Sequence, residues 1–120
     1  MDDFLDLLVE KSYRLVKVKE IRKNRLKLQN GDCYKVAFLV EYCGKQFTIS
    51  DCWVDAEDGV KKIQGLWLPI EATAILPTST LGKLLNFYGA NSLQELNNKE
   101  LKSYPDKNGF LVLVACEQLS

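Results

Sequence analysis

The stretch from Val16 to Leu28 constrains the fold most, because apolar and basic residues alternate along most of its length. Such alternation is typical of a strand that turns one face to a core and the other to solvent. The step from Val18 to Ile21 breaks the period and would exchange the two faces. We therefore predict one long strand that carries a β-bulge or a sharp bend between Glu20 and Asn24.

Two more strands are predicted directly after it. Asn30-Gly31-Asp32 supplies a turn, and the residues from Cys33 to Tyr42 are rich in Val, Phe and Tyr. They are apolar on both faces, which predicts a central strand. Cys43-Gly44-Lys45 then predicts a tight hairpin into a third strand from Gln46 to Val54. Residues 16–54 are therefore expected to form a three-strand meander.

The helical signals lie at the amino terminus and in the second half of the chain. Residues 2–15 combine apolar residues near helical spacing with aspartates in the first turn, which predicts an N-terminal helix. Thr78-Ser79-Thr80 offers hydroxyl caps for a second helix that Gly89 would end. Ser92-Leu93-Gln94-Glu95 has the form of a capping box that opens one further turn. Residues 78–97 are expected to hold these last two helical segments.

The remaining segments are extended or form turns. Residues 55–59 carry three acidic side chains and predict an acidic loop. Residues 63–75 predict one or two irregular strands, with a break at Pro69. Residues 99–116 predict a closing hairpin around a turn from Pro105 to Gly109. The order of elements is therefore helix, three meandering strands, helix and two strands.

This order matches the five-stranded OB barrel, whose helix lies between strands 3 and 4. The second half of the chain adds a motif of a helix and a turn into a strand, in Leu81-Gly82-Lys83-Leu84-Leu85, Gly89, Ser92-Leu93-Gln94-Glu95-Leu96, Asn98-Lys99 and Gly109-Phe110-Leu111. The motif resembles the carboxyl-terminal half of small OB-type single-stranded-DNA-binding proteins of phages and mobile elements. That family usually has glycine where this chain has Asn98, and asparagine tolerates the left-handed backbone such a turn requires.

The predicted fold class follows from the element order together with the resemblance. It is mainly β with inserted helices, as one OB-like domain over residues 1–120. The domain is expected to contain a five-stranded barrel, an N-terminal helix and a helix between strands 3 and 4. The resemblance further implies binding of single-stranded DNA.

The composition removes the commonest catalytic and metal-binding groups. The chain has no histidine, so it lacks the usual general base near neutral pH, the Ser-His and Cys-His nucleophile pairs and imidazole ligands. Its four cysteines include no Cys-x-x-Cys pair, and each lies in or beside an apolar run. This favours buried thiols over a zinc site, with disulfides as an alternative if the source is a hyperthermophile. We expect a protein that is not an enzyme and uses no cofactor.

The pattern of apolar and acidic residues indicates where in the cell the protein is expected. No apolar run reaches the roughly 18 to 20 residues that a membrane-spanning helix requires. Asp2, Asp3 and Asp6 stand where a secretory signal would carry positive charge. We therefore expect a cytoplasmic protein that does not interact with a membrane.

Basic residues are concentrated early in the chain, although the net charge of the whole chain is zero. From Lys11 to Lys27 there are eight basic residues and one acidic residue, Glu20. On one face of a curved strand such cations would track a phosphate backbone, and exposed rings of the next strands would stack on bases. The predicted nucleic-acid-binding residues are Lys17, Lys19, Arg22, Arg25, Lys27, Tyr34, Lys35, Tyr42, Lys45, Phe47, Trp53 and Trp67. The structural alternatives are a strand edge guarded by lysines and rings that belong to the core.

The leading hypothesis is a non-catalytic protein that binds single-stranded nucleic acid with weak sequence preference. DNA is the expected ligand, and RNA is a second candidate. The rival hypothesis is a protein–protein interaction or assembly module of similar fold, which the zero net charge favours over a purely electrostatic DNA binder. A labelled oligonucleotide titrated at low and moderate salt separates these hypotheses, because phosphate binding weakens steeply as salt rises.

Overall fold

The computed structural model describes residues 13–29, 31–69 and 74–117, and within these ranges the chain is mainly β. The strands are β1 (Arg14–Leu28), β2 (Gly31–Tyr42), β3 (Lys45–Ile49), β4 (Asp51–Ala56), β5 (Gly59–Gln64), β6 (Trp67–Pro69), β7 (Glu100–Pro105) and β8 (Leu111–Ala115). Helix α1 (Thr80–Phe87) and a 3-10 turn (Leu93–Leu96) lie between β6 and β7. Neither described helix has the length and apolar character needed to cross a membrane.

The strands belong to one strongly curled sheet. Their hydrogen-bonded order is β3-β2-β1-β7-β8-β4-β5, and β6 pairs with β2. β1 pairs with both β2 and β7, while β4 runs parallel to β8. Only Ser50 separates β3 from β4, although the two strands lie near opposite ends of this order. The chain therefore bends the sheet back on itself, and the core lies on its inner face.

Apolar side chains of the strands and of α1 meet in this core. Val18, Phe38 and Leu113 contribute from β1, β2 and β8, and Leu81 and Leu84 contribute from α1. Phe38 and Leu84 are completely buried. Burial of a side chain of this size stabilises the fold by about 1.5–3 kcal/mol. Alternate residues from Val16 to Val18 and from Val36 to Val40 thus form the inner face that the sequence predicts.

Helix α1 begins and ends as the sequence predicts. Ser79 caps its first turn, because the Ser79 hydroxyl accepts a hydrogen bond from the Gly82 N–H at 3.0 Å. Just after the helix, the Tyr88 hydroxyl accepts from the Lys102 N–H at 3.0 Å and donates to the Val114 carbonyl at 2.6 Å. Burial raises the pKa of this hydroxyl. Tyr88 therefore fixes the end of the helix to β7 and β8.

The predicted irregularity of the first strand is present, but it lies slightly earlier. The register with β2 shifts between Val18 and Glu20, which places a bulge at Lys19. At the same point the Val18 N–H donates to the Lys99 carbonyl and the Val18 carbonyl accepts from the Asn98 N–H, both at 2.9 Å. Asn98 has a φ of 66°, which confirms the left-handed conformation predicted for it. The bulge therefore occurs where β1 leaves its contacts with the β7 side of the sheet.

Several predicted elements differ in the structure. The N-terminal helix predicted for residues 2–15 lies mostly outside the described residues, but Arg14 and Leu15 belong to β1. Ser92 does not cap the turn that follows it. Glu95 instead accepts a hydrogen bond from the Asn91 N–H at 2.5 Å. Residues Leu93–Leu96 form a single 3-10 turn.

The predicted count of five strands is also wrong for the part of the chain that the structure describes. The third predicted strand breaks at Ser50 into β3 and β4, β5 begins at the end of the predicted acidic loop, and β6 lies in the predicted irregular segment. The predicted acidic loop is a tight hairpin, because Asp55 and Ala56 continue β4 and Gly59 begins β5. Strand propensity and cross-strand pairing therefore outweigh the loop-like composition of this segment.

Candidate nucleic-acid interface

The second half of β1 pairs with the first half of β2 in a hairpin whose β1 strand is exposed on both faces. Val16 and Val18 are buried in the first half of β1, whereas residues 22–27 are all exposed. β6 extends this hairpin to three strands, because Tyr34 of β2 pairs with Leu68 of β6. Paired residues of an antiparallel sheet share a face. The pairing therefore defines which side chains of the three strands lie together.

One row of paired residues places an amide, an ammonium group and an indole side by side. Asn24 pairs with Lys35, and Lys35 pairs with Trp67. Neighbouring strands lie about 4.8 Å apart, so the row is continuous. We call the outer face of this three-stranded sheet the platform, and its residues are Arg22, Asn24, Leu26, Cys33, Lys35 and Trp67. The platform combines hydrogen-bonding groups and cations with an accessible aromatic ring.

Trp67 is held on the platform by its neighbours. Its side chain is 41% exposed, and the Lys35 Nζ lies 5.9 Å from the ring centroid, in cation–π range. The indole lies against Gly65, where a Cβ atom would come within 2.4 Å of the Trp67 Nε1 atom. Gly65 also has a φ of 85°, which favours glycine. The ring can adopt this position because residue 65 has no side chain.

The predicted cations do not share one face. Lys17 and Arg22 lie on the outer face with the platform, since they pair with Glu41 and Ala37. Arg25 and Lys27 lie on the opposite face, which they share with Tyr34 and Asp32. The reason is the bulge at Lys19, which exchanges the faces of β1. The condition that one face of the strand carries the early cations is therefore not met, because Lys17 lies on one face and Arg25 and Lys27 lie on the other.

Three of the predicted cations form ion pairs. The Lys19 Nζ lies 4.0 Å from Glu41, the Arg22 guanidinium 2.9 Å from Glu20, and the Arg25 guanidinium 2.7 Å from Asp32. The hydrogen bond and the charge of Asp32 raise the pKa of Arg25. Exposed pairs of this kind add little stability because water and salt screen them, so a phosphate group can displace the acid. Among the described residues, Lys17, Lys27 and Lys35 have no ion-pair partner.

A second surface is a mainly apolar cleft between β3 and the start of β8. It has a volume of about 290 Å³. We call it the cleft, and it is lined by Arg14, Tyr42, Phe47, Thr48, Ile49, Gly109, Phe110 and Leu111. Phe110 is 70% exposed and Phe47 is 39% exposed. Two aromatic rings are thus accessible to a ligand where these two strands are not paired.

The turn that presents Phe110 is fixed by Asp106. One oxygen of this carboxylate accepts the Asn108 N–H at 2.9 Å and the Phe110 N–H at 3.0 Å. The other oxygen lies 3.2 Å from the Lys62 Nζ. Partial burial acts to raise the pKa of Asp106. The two backbone donors and Lys62 together lower it by more, so the pKa of Asp106 lies below its ordinary value. The side of the cleft that carries Phe110 is therefore ordered by an ionised carboxylate.

The predicted aromatic residues other than Trp67 lie on different surfaces of the protein. Tyr42 and Phe47 line the cleft, and Lys45 is exposed beside them in the same hairpin. Trp53 lies on neither surface, because its half-buried indole donates a hydrogen bond to the Tyr104 carbonyl at 3.0 Å. Tyr34 lies half-buried on the face opposite the platform.

Sequence reasoning missed Phe110 and Arg14 as lining residues of the cleft. Phe110 is not among the predicted rings, although the structure exposes it more than Trp53 and Tyr34, which are. The available signal was the position of Phe110 directly after Gly109, in the turn and before the strand begins. An apolar residue at such a position has no strand face to occupy and can project into solvent.

Other groupings among the described residues include a second ring–cation contact, in which the Lys102 Nζ lies 4.9 Å from the Tyr13 ring centroid. Within the described ranges, no group of three or more acidic or cysteine side chains is placed to hold a metal ion. Cys33, Cys43 and Cys52 are free thiols. Cys52 and Cys116 are buried as predicted, and burial raises the pKa of Cys52 to about 12. Cys43 is exposed in its hairpin turn, which corrects the prediction for that residue.

The chain matches no protein-family model, no curated protein and no solved structure. The inference about the class of ligand therefore rests on the platform and the cleft.

Proposed function

We propose that this protein binds single-stranded nucleic acid, with DNA as its ligand, and that the platform is its main contact surface. The observation that carries the proposal is the exposed indole of Trp67, which lies beside Lys35 and in one row with Asn24. A base can stack on the indole while the ammonium group meets a phosphate. Every base has a stacking face, so the sequence preference at the platform is weak.

The strand pairing supports an OB-like barrel as the scaffold. In this interpretation β3 and β4 form one bent strand, which follows β2 and runs parallel to the last strand, β8. β1 would then serve both halves of the barrel by pairing with β2 and with β7. Helix α1 precedes β7, as the helix between strands 3 and 4 of that fold does.

The same interpretation accounts for the position of both surfaces. OB folds bind oligonucleotides on the face of strands 2 and 3 and in the loops that join strands 1 to 2 and strands 4 to 5. The platform corresponds to the first of these loops with the adjoining face of β2. The turn from Asp106 to Phe110 corresponds to the second loop.

The charge distribution indicates moderate dependence on salt. The net charge of zero gives little long-range attraction for a polyanion. Lys17 and Lys35 lie on the outer face without an ion-pair partner among the described residues, and the exposed Arg22–Glu20 pair can open at small cost. Binding to a single strand would therefore lose affinity with a slope of roughly −0.7 per phosphate contact on a log–log plot against salt.

Fluorescence anisotropy with a labelled oligothymidylate tests the proposal. We expect saturable binding at low salt, weaker binding at moderate salt, and weaker binding of the matching duplex. Trp67→Ala should lower affinity by about 1–3 kcal/mol, the usual contribution of one stacked base. Leu76→Ala is the control, because Leu76 is also an exposed apolar residue but lies on neither surface.

Three results would count against this function. They are absence of binding at low salt, equal affinity for the duplex, and an equal loss in the Trp67 and Leu76 variants. Absence of binding would instead favour the protein-interaction alternative, since Trp67, Phe47 and Phe110 would then be exposed for a protein partner. An oligoribonucleotide of the same length, titrated in parallel, distinguishes DNA from RNA.

A further inference from the structure

β3 has one edge without a partner strand among the described residues. The strand ends the hydrogen-bonded order, and only the two-residue turn Cys43–Gly44 joins it to β2. Such a turn makes Tyr42 and Lys45 a hydrogen-bonded pair, after which hydrogen-bonded and non-hydrogen-bonded pairs alternate. The backbone N–H and C=O groups of Gln46 and Thr48 therefore point away from β2. Thr48 lines the cleft, so this open edge forms part of its wall.

The remaining walls of the cleft are largely apolar. Phe47 comes from β3, and Phe110 comes from the opposite side, ahead of β8. The volume of about 290 Å³ lies at the lower limit of the roughly 300–1,000 Å³ typical of small-molecule pockets. The cleft is therefore sized for one aromatic group.

We propose that the cleft takes up one unstacked base of the strand bound by the platform, and that the open edge of β3 reads the edge of this base. This inference rests on the proposed function. Proteins that recognise single strands hold splayed bases in this way, stacked on aromatic rings and hydrogen-bonded along one edge. The cleft thus provides base selectivity that the platform lacks.

The two surfaces are close enough to share one strand. Phe47 pairs with Val40 of β2, and Trp67 pairs with Lys35 of the same strand. These positions of β2 are five residues apart, about 17 Å along a strand, and they face opposite sides of the sheet. An oligonucleotide that reaches both surfaces therefore passes round the sheet edge formed by β3 and β6, where neither strand has a second partner strand among the described residues. An oligonucleotide of the length that one OB fold covers, roughly 4–16 nucleotides, can occupy both surfaces.

The experiment compares affinities of the full chain for labelled homopolymers of thymidylate, adenylate and cytidylate of equal length. The readout is the ratio between the tightest and the weakest of the three. We expect this ratio to fall roughly five-fold or more in Phe47→Ala and in Phe110→Ala, because a base that the rings no longer hold in the cleft is not read by the edge of β3. In Trp67→Ala the three affinities should fall by a similar factor, so the ratio is kept. Leu76→Ala should change neither quantity.

A backbone variant tests the role of the strand edge separately. Thr48→Pro removes one N–H donor from the open edge, and Thr48 occupies a non-hydrogen-bonded position relative to β2, where proline is tolerated on an edge strand. We expect the ratio between homopolymers to fall while thymidylate, adenylate and cytidylate all still bind. Unchanged circular dichroism shows that the variant is folded.

The outcomes separate this inference from the proposed function. If no homopolymer binds, the proposed function fails. If all three bind and Phe47→Ala, Phe110→Ala and Thr48→Pro leave their ratio unchanged, the proposed function stands and the base pocket is wrong. Equal loss of the ratio in Trp67→Ala would also overturn the inference, because selectivity would then belong to the platform.

Discussion

The platform and the cleft are built from different parts of the chain. The platform consists of neighbouring residues of the β1–β2 hairpin together with β6. Cross-strand pairing determines which of its side chains lie next to each other. The cleft joins Arg14, Phe47 and Phe110, which come from the beginning, the middle and the end of the chain. Local alternation can therefore predict the composition of the platform, whereas the cleft exists only after the sheet has curled.

They also differ in what they offer a ligand. The platform presents an indole and cations in the open, where stacking and phosphate contacts depend little on sequence. The cleft is half-enclosed and apolar, with backbone donors and acceptors along one wall. Affinity and selectivity are thus assigned to separate surfaces, and this division can be tested by changes that act on one surface or on both.

The largest effect is expected from Phe38→Ala, which acts on both surfaces. Phe38 is completely buried and lies in β2 between the positions that pair with Trp67 and Phe47. The cavity left behind should lower the free energy of unfolding by about 3–5 kcal/mol, measured by urea denaturation. Leu39→Ala, which truncates the half-buried neighbour on the other face, should cost clearly less. Equal losses in the two variants would contradict the assignment of faces in β2.

Gly65→Ala is expected to act on the platform alone. The new Cβ would lie 2.4 Å from the Trp67 Nε1 atom, and the φ of 85° is unfavourable for alanine. We expect a loss of about 1–3 kcal/mol in stability, together with weaker oligonucleotide binding, because the indole is displaced. Gly89→Ala is the control, since it also has a positive φ but open space around the new atom. Binding by Gly65→Ala equal to that of the control would show that the position of the indole is unimportant.

Lys35→Gln should alter the salt dependence of binding, again through the platform. Removal of one phosphate contact on a single strand makes the slope of log affinity against log salt shallower by roughly 0.7. Phe110→Ala should leave this slope unchanged, because it removes no charge. Lys61→Gln, an exposed lysine of β5 outside both surfaces, is the matched control. A slope unchanged by Lys35→Gln would remove this ammonium group from the phosphate contacts.

The smallest effect is a pH response confined to the cleft. The pKa of Asp106 is lowered from its ordinary value of 3.8. The ionised carboxylate therefore stabilises the Phe110 turn at every pH above this ordinary value. This contribution is lost as the pH falls through the lowered pKa. NMR titration of the Phe110 amide should show a midpoint below 3.8, and Asp106→Asn should remove it. A midpoint above that value would contradict the bonding proposed for this turn.

Much of the fold is predictable from the sequence. The long alternating segment, the Cys43-Gly44 turn, the hydroxyl-capped helix and the closing hairpin are all found within the described residues. Even the unusual Asn98 has the predicted left-handed backbone. These features depend on interactions between residues close in sequence, so local patterns are sufficient to indicate them.

The candidate site was predictable only in part. Trp67 and Lys35 are identified by type and by the strands around them, and the structure places them together. The distribution of the other cations could not be derived, because one bulged residue exchanges the faces of β1 and its position depends on contacts with Asn98 and Lys99. The exposure of Phe110 was missed because the apolar run that follows it has no alternation to show where the strand begins.

By itself, the sequence determined that this chain forms curled antiparallel strands, and it determined which chemical groups are available: rings, amides and cations, without histidine. The tertiary structure decided which of these groups meet. It separated Arg25 and Lys27 from Lys17, and it opened a cleft between β3 and β8. The physical reason is that a two-residue period fixes the alternation of side chains but not the absolute face, and only long-range pairing selects the register.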